Sequence, residues 1–181
     1  SGTYTVGSGE TYTNLTNAMN AAKTEGISAN VIFQLKTGAY ISNHNFNNIP
    51  GLSASKSITI ESKTGNKTDV ILSASSSTYV LRMYNIDYVK FRNLTVDQTY
   101  GQYAIYLSNN ANNISFENCD LKGFNSTSNS TNYSIIYIQS NCKNFTVDKC
   151  DFSRGFYGVY ATNSNCEGLK IKNSTFTNQY H

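Results

Sequence analysis

Two aspartates, a row of three tyrosines led by an arginine, and four cysteines have types and spacings that can do chemistry. Asp120 and Asp151 close the matching segments Glu117-Asn-Cys-Asp120 and Asp148-Lys-Cys-Asp151, so Glu117 and Asp148 match as well. Two carboxylates held side by side are the equipment of general acid–base catalysis, and their oxygens also suit Ca²⁺. Like charges facing each other across adjacent strands destabilise a sheet. Either Lys122, Lys149 or Arg154 offsets them, or Ca²⁺ bridges Asp120 and Asp151, or the pair is catalytic. Compensation by a lysine is the simplest, because exposed ion pairs are common and cheap.

Arg82, Tyr106, Tyr137 and Tyr160 recur once per repeat of the chain, each flanked by apolar neighbours such as Leu81 and Met83, Ile105 and Leu107, Ile136 and Ile138, or Val159 and Ala161. Alternation turns these flanking residues inward and puts the row on the outside. Exposed tyrosine rings stack on pyranose faces while their hydroxyls form hydrogen bonds. The same row also works as an aromatic ladder that only stabilises the sheet. Cys119 matches Cys150, and Cys142 matches Cys166. An even count invites disulfides, but stacked strands point their Cβ atoms in parallel, which disfavours the required dihedral. Four free, buried thiols are expected, and no Cys-x-x-Cys pair is present to hold zinc.

These residues need a frame that repeats. Segments beginning at Val89, Ile114, Phe145 and Leu169 share one pattern, with intervals of 25, 31 and 24 residues. Each follows a tyrosine-led segment beginning at Tyr79, Tyr103, Tyr133 or Tyr157, and the long interval carries the polar insert Asn125–Thr131. Within each segment the apolar alternation changes phase at Asn93, Asn118, Lys149 or Asn173. Asparagine is the non-glycine residue that best tolerates a left-handed bend. Short strands joined by such bends, in units of about 24 residues, describe the coils of a parallel β-helix. Ahead of them, Leu15, Ala18, Met19 and Ala22 mark one face of a short helix, with Thr13 as N-cap and Gly26 as its stop. Val31–Leu35 reads as a strand closed by Thr37–Tyr40.

Composition agrees. Asn, Ser and Thr make 66 of 181 residues, only 14% are charged, there is one Pro and no Trp, yet 39% are hydrophobic. That balance excludes a disordered chain and points to an all-β domain. The net charge of +3 comes without a Lys/Arg cluster, so no nucleic-acid partner is expected. No apolar run reaches the length of a membrane span.

The chain resembles the right-handed parallel β-helix, or pectin-lyase-like, superfamily. The resemblance rests on the Tyr12–Ala22 helix, the Val31–Leu35 strand, the Thr37-Gly-Ala-Tyr40 turn, the Ser57–Glu61 and Val70–Leu72 segments, and the four later repeats. Its Asn- and Tyr-rich style is similar to adhesin-like surface proteins of Bacteroidetes and methanogenic archaea. The resemblance implies one domain over 1–181: a cap and first coil over 1–40, an early coil with loops over 41–78, and four regular coils over 79–181, about six coils in all. The pectinolytic signatures of the superfamily are missing, since Pro50 has no flanking Arg and neither His44 nor His181 follows an Asp. The resemblance and the outward row together imply a non-catalytic extracellular or cell-surface module. It would be adhesin-like, binding a polysaccharide or cell-surface glycan through Arg82, Tyr106, Tyr137 and Tyr160, without an obligatory cofactor. The alternatives are a polysaccharide lyase or glycoside hydrolase, and a structural spacer. The opening Ser1-Gly2-Thr3 suits an excised domain or a mature secreted chain. Nothing in Phe176–His181 resembles a cap, so the last coil is expected to meet further coils or to associate end to end with a second copy.

Overall fold

Short alternating apolar segments, each ended by a residue at positive φ, build the fold one turn at a time. The computed structural model describes residues 1–76, 78–162 and 165–180. The chain opens with β1 (Gly2–Val6) and α1 (Leu15–Glu25). The next coils are β2 (Val31–Leu35), β3 (Gly38–Ile41) and β4 (His44–Asn47), then β5 (Ile58–Ser62), β6 (Val70–Ser73) and β7 (Tyr79–Asp87). Two regular coils come next: β8 (Val89–Arg92), β9 (Thr95–Asp97) and β10 (Tyr103–Asn112), then β11 (Ser115–Glu117), β12 (Asp120–Lys122) and β13 (Ser134–Ile138). The chain finishes with β14 (Thr146–Asp148), β15 (Asp151–Ser153) and β16 (Tyr157–Ala161), then β17 (Lys170–Lys172) and β18 (Thr175–Thr177).

Corresponding strands stack into three parallel sheets. The first runs β1-β2-β5-β8-β11-β14-β17, the second β3-β6-β9-β12-β15-β18, and the third β4-β7-β10-β13-β16. This is a right-handed parallel β-helix of about six turns. Its interior is dry and layered: Phe91 stacks on Phe116 at 4.7 Å and 7°, and Phe46 meets Phe91 edge-on at 5.4 Å. Leu15, Ala18, Met19 and Ala22 of α1 are buried and join that core at its N-terminal end.

The bends fall where the sequence places them. Asn93, Asn118, Lys149 and Asn173 have φ of 53°, 50°, 56° and 52°. Asn118 Nδ2 donates to Asn93 Oδ1 at 2.8 Å, and Asn173 Nδ2 donates to Asp148 Oδ1 at 2.8 Å. Asparagine therefore serves twice, tolerating αL and bonding to the neighbouring coil. Asn118→Ala should cost about 1–3 kcal/mol in a urea melt, from αL strain plus one lost hydrogen bond. A loss within error would show that the bend does not depend on the residue.

Several expectations need correction. The N-cap is Asn14, whose side chain accepts from Asn17 N at 2.9 Å, while Thr13 Oγ1 accepts from Asn17 Nδ2. Gly26 ends the helix with φ of 70°, as expected. Most of Thr37–Tyr40 belongs to β3 rather than to a turn. Tyr133 is not in register with Tyr103 and Tyr157, because the insert ends in a 3₁₀ turn at Thr131–Tyr133 and Ser134 pairs with Tyr157 instead. At the other end Ile171 is 36% and Phe176 47% exposed, so the final described coil is open. His181 lies outside the described residues.

Candidate functional site

The outward row is assembled by strand register alone. Arg82 pairs with Tyr106, Tyr106 with Tyr137, and Tyr137 with Tyr160, so β7, β10, β13 and β16 contribute one residue each. Their inward neighbours Leu81, Met83, Ile105, Leu107, Ile136 and Ile138 are buried and hold the strands in place. Tyr106 and Tyr137 lie 5.6 Å apart and tilted, while Tyr137 and Tyr160 lie 6.0 Å apart and nearly parallel at 16°. The Arg82 guanidinium sits 4.6 Å over the Tyr84 ring and 5.5 Å from the Tyr106 ring, a cation–π arrangement. No ion pair neutralises it among the described residues.

The strip is broader than one residue per coil. Tyr103 stacks on Tyr106 at 5.2 Å and approaches Tyr137 to 4.4 Å, and its hydroxyl donates to Asn132 Oδ1 at 2.8 Å. Burial first, and then the neighbouring Tyr137 and Tyr106 hydroxyls, push the Tyr103 phenol up to about 12. Tyr157 adds a ring 5.3 Å from Tyr160. Tyr84, Tyr103 and Tyr157 were visible in the sequence, the last two as leaders of the repeat. Strict alternation hides them, because Tyr103 and Tyr106 differ by three positions yet touch.

The aspartates are in register as expected, Asp120 against Asp151. Lys67 Nζ lies between them, 2.7 Å from Asp120 Oδ1 and 2.5 Å from Asp151 Oδ2. The compensating cation therefore comes from the β5–β6 loop, not from Lys122, Lys149 or Arg154; Arg154 instead pairs with Asp97. Lys67 first and Thr175 second hold the Asp151 carboxyl below its usual range. Burial works against the Lys67 charge, but the two aspartates still hold its pKa above the ordinary lysine value. A carboxylate kept ionised by an ammonium is a weak proton donor. The ammonium also stands where Ca²⁺ would bridge the pair, so the cation would have to displace it. No group of three or more His, Cys, Asp or Glu gathers for a metal among the described residues. Glu117 and Asp148 form the neighbouring column, with Lys90 on Glu117 and Lys172 on Asp148.

His44 is 4% exposed and its Nε2 lies 3.0 Å from the Tyr40 carbonyl oxygen, which fixes the proton on Nε2. Burial lowers its pKa from the ordinary 6.5. Below that value the unfolded chain binds a proton that the folded chain resists, so stability should fall as pH drops from 6.5 towards the folded pKa, and stay flat above. Urea midpoints between pH 7.5 and 5 measure this slope, which His44→Gln should flatten. An unchanged slope in the variant would assign it to other groups.

All four cysteines are free; Cys119, Cys142 and Cys150 are buried and Cys166 is partly exposed. Burial, followed by the adjacent Cys150, raises Cys119 well above the ordinary thiol value, and burial takes Cys142 to about 11. A thiol reagent should therefore label Cys166 first in the folded protein and all four after denaturation without reductant. Recovering fewer than four would reveal a bridge.

Of the described helices, none is long and apolar enough to cross a membrane. No family profile matches the chain, and no curated protein is similar to it in sequence. Solved structures do share its fold. The pectin methylesterase from Aspergillus niger in deglycosylated form is 15% identical with a TM-score of 0.59, over 94% of this chain and 67% of that one. The same enzyme penultimately deglycosylated, with an N-acetylglucosamine stub, gives 16% and 0.58 over the same shares. At such identity the likeness is one of fold. Both neighbours are enzymes, not adhesins.

Proposed function

We propose that the chain is a non-catalytic carbohydrate-binding β-helix module of an extracellular or cell-surface protein, laying a polysaccharide along the tyrosine row of the third sheet. The observation that carries this reading is the continuous outward strip of Arg82, Tyr106, Tyr137 and Tyr160, widened by Tyr103 and running along the helix axis. Rings supply flat apolar faces and hydroxyls supply donors and acceptors, the mixture a sugar surface needs. A scaffold shared with secreted pectin-acting enzymes is consistent with a glycan ligand and an extracellular setting, though fold alone does not carry function.

The second reading is an enzyme acting on a polysaccharide, favoured by the pectin methylesterase neighbours. Against it, the one stacked carboxylate pair is occupied by Lys67. One experiment separates them. The chain is incubated with homogalacturonan, xylan, mannan, β-glucan and chondroitin sulfate, following reducing ends, unsaturated-uronate absorbance and methanol release alongside pull-down. Retention without turnover is the expected result; turnover would replace the module with an enzyme, and neither would leave a spacer. We further propose that the 181-residue chain associates end to end through its open coil, weakened by Phe176→Lys. A monomer at every concentration in sedimentation would refute that contact.

A further inference from the structure

The tyrosine row meets a wall at its N-terminal end. Its register column continues from Arg82 to Asn45 on β4, and the third sheet stops at β4. The next element along the axis is α1. Between α1 and β4 lies a groove of about 160 Å³, with Thr16, Asn20 and Lys23 on the helix side and Asn43, Asn45 and Asn47 on the strand side.

A run of contacts ties this groove to the row. Lys23 Nζ donates to Asn47 Oδ1 at 2.7 Å, and Asn47 Nδ2 donates to the Tyr84 hydroxyl. Tyr84 in turn lies under the Arg82 guanidinium, which also faces Tyr106. The strand wall contributes backbone groups as well. Asn48 N donates to the Asn85 carbonyl beside β7, so alternation turns the peptide groups of Asn45 and Asn47 the other way, towards the groove. No strand pairs with them there. The walls thus offer ammonium, amide, hydroxyl and carbonyl groups together, a lining for a ring that carries hydroxyls at every edge. With about 30 Å³ as the share of one water, the volume is on the scale of one monosaccharide and not of an oligosaccharide.

Resting on the reading of the row as a glycan platform, we infer that the α1–β4 groove is a terminal subsite. It holds the end sugar of a chain lying over Arg82, Tyr106, Tyr137 and Tyr160, and the helix blocks passage beyond it. The module therefore captures chain ends, where an open platform would bind anywhere along a polymer.

The test uses size-graded fractions of whichever panel polysaccharide is retained, titrated calorimetrically into the intact chain. End capture fixes the stoichiometry at one module per chain, independent of length. Asn20→Trp, on the exposed face of α1, fills the groove without touching the core and should weaken binding at least 10-fold. A bulky hydrazide label on the reducing end, or its counterpart on the other end, should do the same at one end only. Stoichiometry rising with chain length, with Asn20→Trp binding as the parent does, would overturn the subsite and leave the platform standing. Binding that survives loss of the tyrosine rings, or no retained glycan at all, would overturn the platform and the subsite with it.

Discussion

Replacing Tyr106, Tyr137 and Tyr160 together by Ala is expected to abolish polysaccharide binding while the chain stays folded. Each ring that stacks on a sugar contributes about 1 kcal/mol beyond its buried area, so three lost rings weaken binding on the order of 100-fold. The folding cost is smaller. The two cross-strand contacts, Tyr106–Tyr137 and Tyr137–Tyr160, contribute roughly 0.2–1 kcal/mol each. The interior is left intact, because Ile105, Leu107, Ile136 and Ile138 face the other way and remain buried. Circular dichroism should keep its β signal, and the melting temperature should fall only modestly. Affinity electrophoresis against the retained polysaccharide supplies the binding arm. Unchanged mobility shifts in the variant would sink the platform, and outright unfolding would show that the rings serve the sheet as a ladder. Arg82→Gln gives an independent arm, since it removes the charge at the head of the row and leaves every ring in place.

The sequence exposes this row because a parallel β-helix converts sequence period into spatial column. Residues one coil apart become neighbours, so Asp120 against Asp151 and Tyr106 against Tyr137 were legible from spacing alone. The bends were equally legible, because αL backbone selects Asn at Asn93, Asn118 and Asn173. Features off the period were not. Lys67 sits in a loop of an earlier coil and reaches its aspartates across 53 and 84 positions, a distance no repeat encodes. Tyr133 misled through its insert: the extra 3₁₀ turn shifted it one place while Tyr137 kept register. The strands β1 and β4 escaped notice because Gly2–Val6 and His44–Asn47 carry few apolar residues, their place being set by pairing with β2 and β7. The α1–β4 groove has no sequence signal, because its two walls come from unlike elements brought together by the cap.

Removing the Lys67 ammonium is expected to reverse how the second sheet responds to acid. In the parent chain Asp151 is held below its ordinary 3.8, with Lys67 the main cause and Thr175 the next. A carboxylate with a depressed folded pKa contributes stability above its unfolded value and loses it as pH falls through the folded one. Lys67→Met keeps most of the apolar stem but leaves Asp120 and Asp151 facing each other one strand apart. Like charges raise the pKa of one partner, so the variant carries repulsion at neutral pH that protonation relieves. Its deficit should be about 1–2 kcal/mol at pH 7, between the values for exposed and buried pairs, given that Asp120 is 15% and Asp151 51% exposed. That deficit should shrink as pH falls towards 3, the opposite of what a simple loss of packing would do. Adding Asp120→Asn to the variant should recover part of the loss at pH 7 and remove its pH dependence. Millimolar Ca²⁺ should raise the melting temperature of Lys67→Met, where the carboxylates stand free, and leave the parent unchanged. A parent chain that Ca²⁺ stabilises as strongly would make the aspartate pair a cation site that Lys67 merely attends, and a pH-independent deficit would mean that Lys67 acts through its stem.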